Sequence, residues 1–318
     1  MSLRWIVRGE QTPEQAGQAE QNPENAPCRL FRTRGTAGWS ARGSLSSMGA
    51  GKNGPYRNSR SIRMKLRLGL RPKALALLET LAALGGYKAR FTRPPSREGY
   101  EIILPSAMYA PWSSDRAFLE VYRKTEGNTL VDVYRCYELW QLVAQSAKVP
   151  GALLEVGVWR GGTTAIIAAS AQANGIQDPL YACDTFAGVV KAGEKDSAYR
   201  GGEHADASES DVRRFLEGDL HLKNVRLLRG IFPEESGQRI ADPYFRFCHI
   251  DVDVYNSARD ILAWVWPRLS RGGMVVYDDY GFISTDGITA LVNEQRRDRD
   301  RIVLHNLNGH AVVVKIAS

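Results

Sequence analysis

The chain has 318 residues, of which 43% are hydrophobic and 24% charged, and its formal net charge is +7. This length and apolar content suffice for a globular core, and no apolar run approaches the roughly 20 residues of a membrane-spanning helix. The spacing of the four cysteines, Cys28, Cys136, Cys183 and Cys248, indicates neither a zinc site nor a disulfide framework. We therefore expect a cytoplasmic protein without a membrane partner.

The basic excess lies at the front of the chain. Residues 1–73 hold 14 Lys and Arg against 4 Asp and Glu, whereas the remaining residues hold 28 Lys and Arg against 31 Asp and Glu. Residues 1–63 are polar, lack apolar periodicity and are predicted to be a disordered basic extension. Such a tail could bind RNA, but a solvated tail is the simpler interpretation. Translation from Met64 is a further hypothesis, because the composition changes abruptly there.

The remaining residues show an ordered pattern. Helical patterns at 72–85 and 130–148 flank a Pro- and Gly-broken segment that could be a loop with a short strand. Residues 64–128 are therefore predicted as a helical cap and 129–318 as the main domain. β-rich runs then alternate with helical ones. The predicted strands are 152–156, 180–183, 225–229, 245–250 and 273–277, and the predicted helices are 162–174, 208–217 and 256–266. This alternation predicts an α/β fold, with a mostly parallel sheet covered by helices on both faces. A final antiparallel hairpin is predicted around Asn308-Gly309.

The loop after the first predicted strand has the composition of a ligand cradle. It reads EVGVWRGGTT, in which glycines let the backbone approach a ligand and a helix start offers unpaired N–H groups. The spacing matches neither G-x-G-x-x-G nor a P-loop. The predicted cofactor-binding residues of this loop are Glu155, Gly157, Gly161, Gly162 and Thr163.

Two later strand ends extend the predicted cofactor site. Asp184 ends the second strand, where an acidic residue can accept hydrogen bonds from ribose hydroxyls. Gly230 and Ile231 follow the third strand, where an adenine ring often lies in such sheets. The glycine loop and Asp184 together predict a cofactor that contains adenosine.

Carboxylates follow the fourth and fifth predicted strands. Asp251 and Asp253 come after FRFCHI, and Asp278 and Asp279 come after GMVVY. If the two strands are neighbours, these groups converge, and a divalent cation would resolve their repulsion. Oxygen ligands favour Mg²⁺, Mn²⁺ or Ca²⁺ over zinc. In the alternative interpretation, Asp253 and Asp279 merely cap the helices that follow. His249 could support Asp251 from the same strand face.

A polar segment, residues 188–208, follows Asp184 and contains several glycines. Its position predicts a lid over the site, with Tyr199 and His204 as candidate acceptor contacts. An ordinary surface loop is the alternative.

Four stretches in this order resemble the macrocin-type O-methyltransferases, which methylate deoxysugar hydroxyls of macrolide and aminocoumarin antibiotics. They are EVGVWRGGTT, DTFAG, HIDVDVYNSARDILAWVWPRLSRGG and VVYDDYG, and the resemblance runs from about Thr129 to the C-terminus. It implies a Rossmann-like class I methyltransferase fold and S-adenosylmethionine (SAM) as methyl donor. The motif aspartates that it implies as metal ligands are Asp251, Asp278 and Asp279.

The resemblance implies as acceptor a sugar, a nucleotide sugar or a glycosylated natural product, and residues 72–128 are candidates for its recognition. The predicted mechanism is an in-line methyl transfer in which the metal acidifies the acceptor hydroxyl and Asp251 accepts its proton. Nucleic acid is not expected as a partner, and the sequence permits a homo-oligomer without identifying one. The alternatives are an NAD-dependent oxidoreductase and a nucleic-acid-binding protein with an inactive methyltransferase-like domain.

Overall fold

The structure, a computed structural model, describes residues 77, 78, 80, 81, 84, 97–103 and 107–317. The chain divides between Arg93 and Pro94 into two units. In the first unit the described residues are helical and fall inside the predicted helix 72–85. The predicted extension 1–63 and Met64 lie outside the described residues, and the boundaries proposed at 63 and 128 remain predictions. None of the helices in the described part of the chain has the length and apolar character needed to cross a bilayer.

The second unit is built on a seven-stranded sheet in the order β3-β2-β1-β4-β5-β7-β6. The first five strands pair in parallel, and β7 lies antiparallel between β5 and β6. The strands are β1 Ala152–Val156, β2 Leu180–Asp184, β3 Val225–Arg229, β4 Phe245–Ile250, β5 Leu269–Tyr277, β6 Arg301–His305 and β7 Ala311–Lys315. This order confirms the predicted parallel sheet and its C-terminal hairpin.

Six α-helices surround the sheet in the second unit's described residues. They are α1 Arg116–Thr125, α2 Val133–Ser146, α3 Gly162–Ala173, α4 Glu209–Arg213, α5 Tyr255–Val265 and α6 Asp286–Glu294. A π-helical segment, Arg214–Asp219, continues α4. Short 3₁₀ turns occupy Pro111–Ser113, Gly237–Arg239, Trp266–Arg268 and Gln295–Arg297. Aspartates begin two of the helices: Asp115 accepts a hydrogen bond from the backbone N–H of Phe118 at 3.1 Å, and Asp132 caps α2 in the same way.

Both sheet faces are covered, because side chains alternate along each buried strand. Leu153 of β1 packs with α1, α2 and α3, whereas its neighbour Leu154 packs with α5 and α6 on the opposite face. Every residue of β1 and β4 is buried. The sheet therefore presents the carboxyl ends of β1, β2, β4 and β5 along one edge, which is where ligands bind in such folds.

The structure differs from the sequence predictions in three places. β5 begins at Leu269 rather than at residue 273, because Leu269 already pairs with Phe245 across a register irregularity. The described residues of 97–110 form no strand, so the Pro- and Gly-broken segment lacks, in that part, the short strand that was one expectation for it. Helix α1 was not predicted as a separate element, yet its Phe118 is fully buried in the core.

Candidate active site

Close contact between strand ends shapes the glycine loop. Gly157 has a φ of +96°, and a Cβ placed on it would lie 1.7 Å from the backbone oxygen of Asp251. A Cβ on Gly162 would lie 2.6 Å from the backbone oxygen of Asn128, which accepts the Gly162 N–H at 3.0 Å. Gly161, with φ +84°, caps the start of α3. Close packing therefore already explains why glycine occupies these positions. Cofactor contact by these glycines and by the buried Thr163 remains a prediction.

Asp184 anchors the same loop. One carboxylate oxygen accepts the backbone N–H groups of Val158 and Trp159 at 2.7 and 2.8 Å, and the other accepts that of Phe186 at 2.7 Å. A carboxylate offers about four acceptor positions, so roughly one is left for a ribose hydroxyl. The residue lies where the sequence predicted, and it also fixes the loop's backbone.

Glu155 lies in the interior rather than at the loop surface. Its side chain is fully buried, accepts a short hydrogen bond from the Thr164 hydroxyl, and lies 2.9 Å from Nδ1 of His249. Direct cofactor binding, which its place in the motif predicted, would require these bonds to break. In the structure these contacts hold Glu155 against His249, and cofactor binding by Glu155 remains a prediction.

The ends of β2 and β3 border a cleft of about 900 Å³. The Gly230 N–H donates to the backbone oxygen of Asp184 at 2.9 Å, and the Ile231 N–H donates to Glu235. Phe186 and Arg229 line the cleft together with residues of the α4 region, and the carboxylates that follow β4 and β5 do not line it. The cleft therefore extends on the side of the predicted cofactor site.

Three carboxylates converge after β4 and β5, and we call Asp251, Asp278 and Asp279 the carboxylate rim. One oxygen from each of the three lies within 4.8 Å of the others. Burial and the neighbouring charge of Asp278 raise the pKa of Asp251 and of Asp279 well above the usual value. The predicted convergence is thus present in the fold, and two of the three groups resist ionisation.

Asp278 differs from its two neighbours because cationic groups surround it. Its side chain forms a short ion pair with Arg135 from α2, and its other oxygen lies 2.9 Å from Nε2 of His310 and 3.6 Å from Nε2 of His249. Burial alone would raise the pKa of Asp278, but the two histidines and the Arg135 charge lower it below the usual value. Among the three rim carboxylates, Asp278 is therefore the one whose ionised form is most favoured.

His310 also contacts a carboxylate on its other side. Its Nδ1 lies 2.7 Å from Glu138, so both ring nitrogens face carboxylates. Burial lowers the pKa of His310, but Asp278 and Glu138 outweigh it and raise the pKa above the usual value. Sequence analysis missed Arg135 and His310. The Asn308-Gly309 turn was the available signal for His310, because it returns the chain to the end of β5.

Asp253 lies beside the rim with a backbone φ of +63°. Burial raises its pKa, and interactions with Tyr199 and His204 offset only part of that effect. The capping interpretation is wrong for Asp253 and Asp279. The N-caps of α5 and α6 are Val254 and Thr285, and neither of these two residues makes a side-chain capping hydrogen bond.

The polar segment 188–208 is anchored by hydrogen bonds to the glycine loop and to the start of α5. Buried Asp196 accepts the backbone N–H of Tyr255 at 2.9 Å, and Asp206 accepts bonds from Trp159 Nε1 and Arg160. Burial and the charge of Asp253 raise the pKa of Tyr199, and its hydroxyl lies 3.5 Å from Nε2 of His204. The segment thus brings Tyr199 and His204 to Asp253, and its action as a lid remains a prediction.

Residues 123–310, more than half of the chain, match the family model described as macrocin-O-methyltransferase. Demethyldecarbamoylnovobiocin O-methyltransferase of Streptomyces niveus is 32% identical over 164 residues, which are 48% of this chain and 62% of that protein. The 8-demethyl-8-(2,3-dimethoxy-alpha-L-rhamnosyl)-tetracenomycin-C 4'-O-methyltransferase of Streptomyces olivaceus is 34% identical over 145 residues, 42% of this chain and 54% of that protein. The chain therefore spans less than two thirds of both relatives.

A solved structure supports the same fold. The O-methyltransferase NovP matches this chain with a TM-score of 0.51 and 27% sequence identity, covering 60% of this chain and 83% of that one. The sheet order and this match together show a Rossmann-like methyltransferase fold, as the sequence predicted.

Proposed function

Since the chain belongs to the macrocin-O-methyltransferase family, we propose that it transfers a methyl group from SAM to a hydroxyl of a sugar or glycosylated small molecule. We include in this proposal a divalent cation, Mg²⁺ or Mn²⁺, at the carboxylate rim. The acceptor class follows from the relatives, one of which is named for a rhamnosyl tetracenomycin.

The observation that carries the proposal is the convergence of Asp251, Asp278 and Asp279 at the end of β4 and β5. Oxygen ligands without cysteine suit Mg²⁺ or Mn²⁺. Two of the three groups have raised pKa values because their charges are crowded and buried, and a divalent cation would relieve that repulsion. The residues present therefore fit the ion that the family resemblance implied.

The protein's own groups have distinct parts in the proposed reaction. When bound, the cation would acidify an acceptor hydroxyl, and SAM would provide the methyl group. Asp251, Asp278 and Asp279 hold the cation, and His310 orients Asp278. Lid residue Tyr199 helps to exclude water and to position the acceptor.

We assign the proton acceptor to Asp253, which revises the expectation that Asp251 both binds the ion and accepts the proton. A carboxylate that ligates a cation is a weaker base, because the cation favours its ionised form. Asp253 lies outside the three-carboxylate rim, and burial raises its pKa, which suits proton uptake from a hydroxyl.

We propose that SAM lies along the glycine loop, with Asp184 accepting a ribose hydroxyl in its remaining position. In this proposal Gly157, Gly161, Gly162 and Thr163 contact SAM from the loop, and Gly230 contacts it from the end of β3. The cleft beside β2 and β3 gives room on the same side.

The test is a methyl-transfer assay with SAM and a panel of glycosides, each paired with its aglycone. We expect glycosides alone to gain one methyl group, with activity lost in EDTA and restored by Mg²⁺. Activity that persists in EDTA would remove the metal from the proposal. Binding of NAD without SAM would favour the oxidoreductase alternative, and RNA binding without methyl transfer would favour the nucleic-acid alternative.

A further inference from the structure

A positively charged side chain of the protein, that of Arg135, lies beside the carboxylate rim. Arg135 lies in the first turn of α2, is only 7% exposed, and pairs through Nη1 with Oδ2 of Asp278. Its Nε donates to Oδ2 of Asp132 at 2.8 Å, and its guanidinium lies 5.1 Å from the ring centre of Phe282. A buried charge held in this way is screened little by solvent.

We propose that Arg135 is an internal counter-cation that competes with the divalent ion for Asp278. It stabilises the metal-free protein and keeps the metal affinity of the rim below the value that the three carboxylates alone would give. This inference rests on the proposed metal site.

The geometry separates the charge of Arg135 from the positioning of Asp278. Arg135 occupies Oδ2, whereas His310 holds Oδ1 at 2.9 Å from the opposite side and is itself held by Glu138. Asp278 therefore keeps an orienting partner when Arg135 is replaced. What is lost is a positive charge beside the rim, which repels any cation that binds there.

The charge of Arg135 also reaches the other rim carboxylates. Arg135 pairs with Asp278, and one oxygen of Asp278 lies within 4.8 Å of an oxygen of Asp251 and of Asp279. In the metal-free protein the Arg135 charge therefore offsets part of the negative charge that the rim can carry. A divalent ion would perform the same neutralisation, so the two cations act on one set of charges.

The chain offers a matched control at the opposite end of the sheet. Arg246 is the second residue of β4, is 6% exposed, and forms a short ion pair with Asp178. Its Nε donates to the backbone oxygen of Gly151. Arg246 is therefore as buried and as well paired as Arg135, but it lies at the other end of the strand that leads to Asp251.

The experiment compares Arg135→Gln, Arg135→Lys and Arg246→Gln with the wild type by calorimetric titration of MgCl₂ and MnCl₂ and by thermal unfolding with and without metal. Gln keeps a hydrogen-bond donor and removes the charge, whereas Lys keeps the charge. We expect Arg135→Gln to bind metal about tenfold more tightly than wild type. Arg135→Lys should stay within about threefold of wild type, and Arg246→Gln should be unchanged.

Thermal unfolding adds a readout that does not depend on activity. Metal-free Arg135→Gln and Arg246→Gln should both melt at lower temperature, but only Arg135→Gln should gain more from added Mg²⁺ than wild type does. If metal-free Arg135→Gln is unfolded, Mg²⁺ should restore its fold. Unchanged or weaker metal binding in Arg135→Gln, or no rescue by Mg²⁺, overturns the inference. A wild type that binds no metal instead refutes the proposed metal site.

Discussion

The carboxylates at the two halves of the sheet's ligand-binding edge are stabilised in different ways. At the β1–β2 end, Asp184 accepts three backbone N–H groups and needs no cation. At the β4–β5 end, crowding and burial raise the pKa of Asp251 and Asp279, and Asp278 is ionised beside Arg135. The first end is organised by its own backbone before any ligand arrives. The second end, in the proposed function, is completed by a bound divalent cation.

Gly157 joins the two ends, so its substitution should have the largest effect. In Gly157→Ala the new Cβ meets the Asp251 backbone at 1.7 Å, and a φ of +96° strains any L side chain. We expect the free energy of unfolding to fall by about 4 kcal/mol or more, measured by chemical denaturation. The control is Gly175→Ala, which has φ +69° and open space around it, and should cost about 1 kcal/mol. Equal losses in the two variants would contradict the close approach of the strand ends.

Asp278→Asn tests the β4–β5 end alone. We expect methyl transfer to fall about a hundredfold or more, because a metal ligand is lost. Stability should fall by about 3 kcal/mol, because Arg135 is left buried without its partner. SAM affinity, measured by calorimetry, should stay near that of wild type, since Asp278 takes no part in the cofactor loop. An active Asp278→Asn enzyme would refute the assignment.

Asp184→Ala tests the β1–β2 end in the same assays. It removes the acceptor for Val158, Trp159 and Phe186 as well as the predicted ribose contact. We expect SAM affinity to fall about tenfold or more, while Mn²⁺ affinity changes little. Loss of metal binding with intact SAM binding would reverse the roles of the two ends.

A lower pH should gradually weaken metal binding at the β4–β5 end. A cation binds the ionised carboxylates, and the pKa values of Asp251 and Asp279 are raised, so protons compete at a higher pH than for an ordinary aspartate. Mn²⁺ affinity, measured by calorimetry between about pH 8 and pH 5, should therefore fall as the pH falls. An affinity that is flat across this range would show that the rim is already ionised without metal.

Most of the fold could be predicted because its signals are local. The apolar runs at β1, β3 and β4 gave the strand bounds that the structure has, and Asn308-Gly309 marked the hairpin between β6 and β7. The convergence of Asp251, Asp278 and Asp279 followed from one topological condition, that β4 and β5 are neighbours, which the sheet meets.

The partners of those carboxylates could not be predicted in the same way. Arg135 is 143 positions from Asp278, and its contact depends on how α2 packs against the sheet. Glu155 occupies the position in the sequence that the motif predicts. Its side chain nevertheless turns inward to Thr164 and His249, because β1 is buried on both faces. Side-chain direction at a strand end is set by packing, which a motif does not encode.

The most direct test of this account is the binding of Mn²⁺ to metal-stripped protein, followed by electron paramagnetic resonance in wild type and in Asp279→Asn. Asp279 belongs to the rim but has no ion pair with Arg135, so its loss removes a ligand and leaves the Asp278 pair intact. The account predicts one tightly bound ion per wild-type chain and greatly weakened binding in Asp279→Asn. No bound ion in the wild type, or equal binding in both proteins, would contradict it.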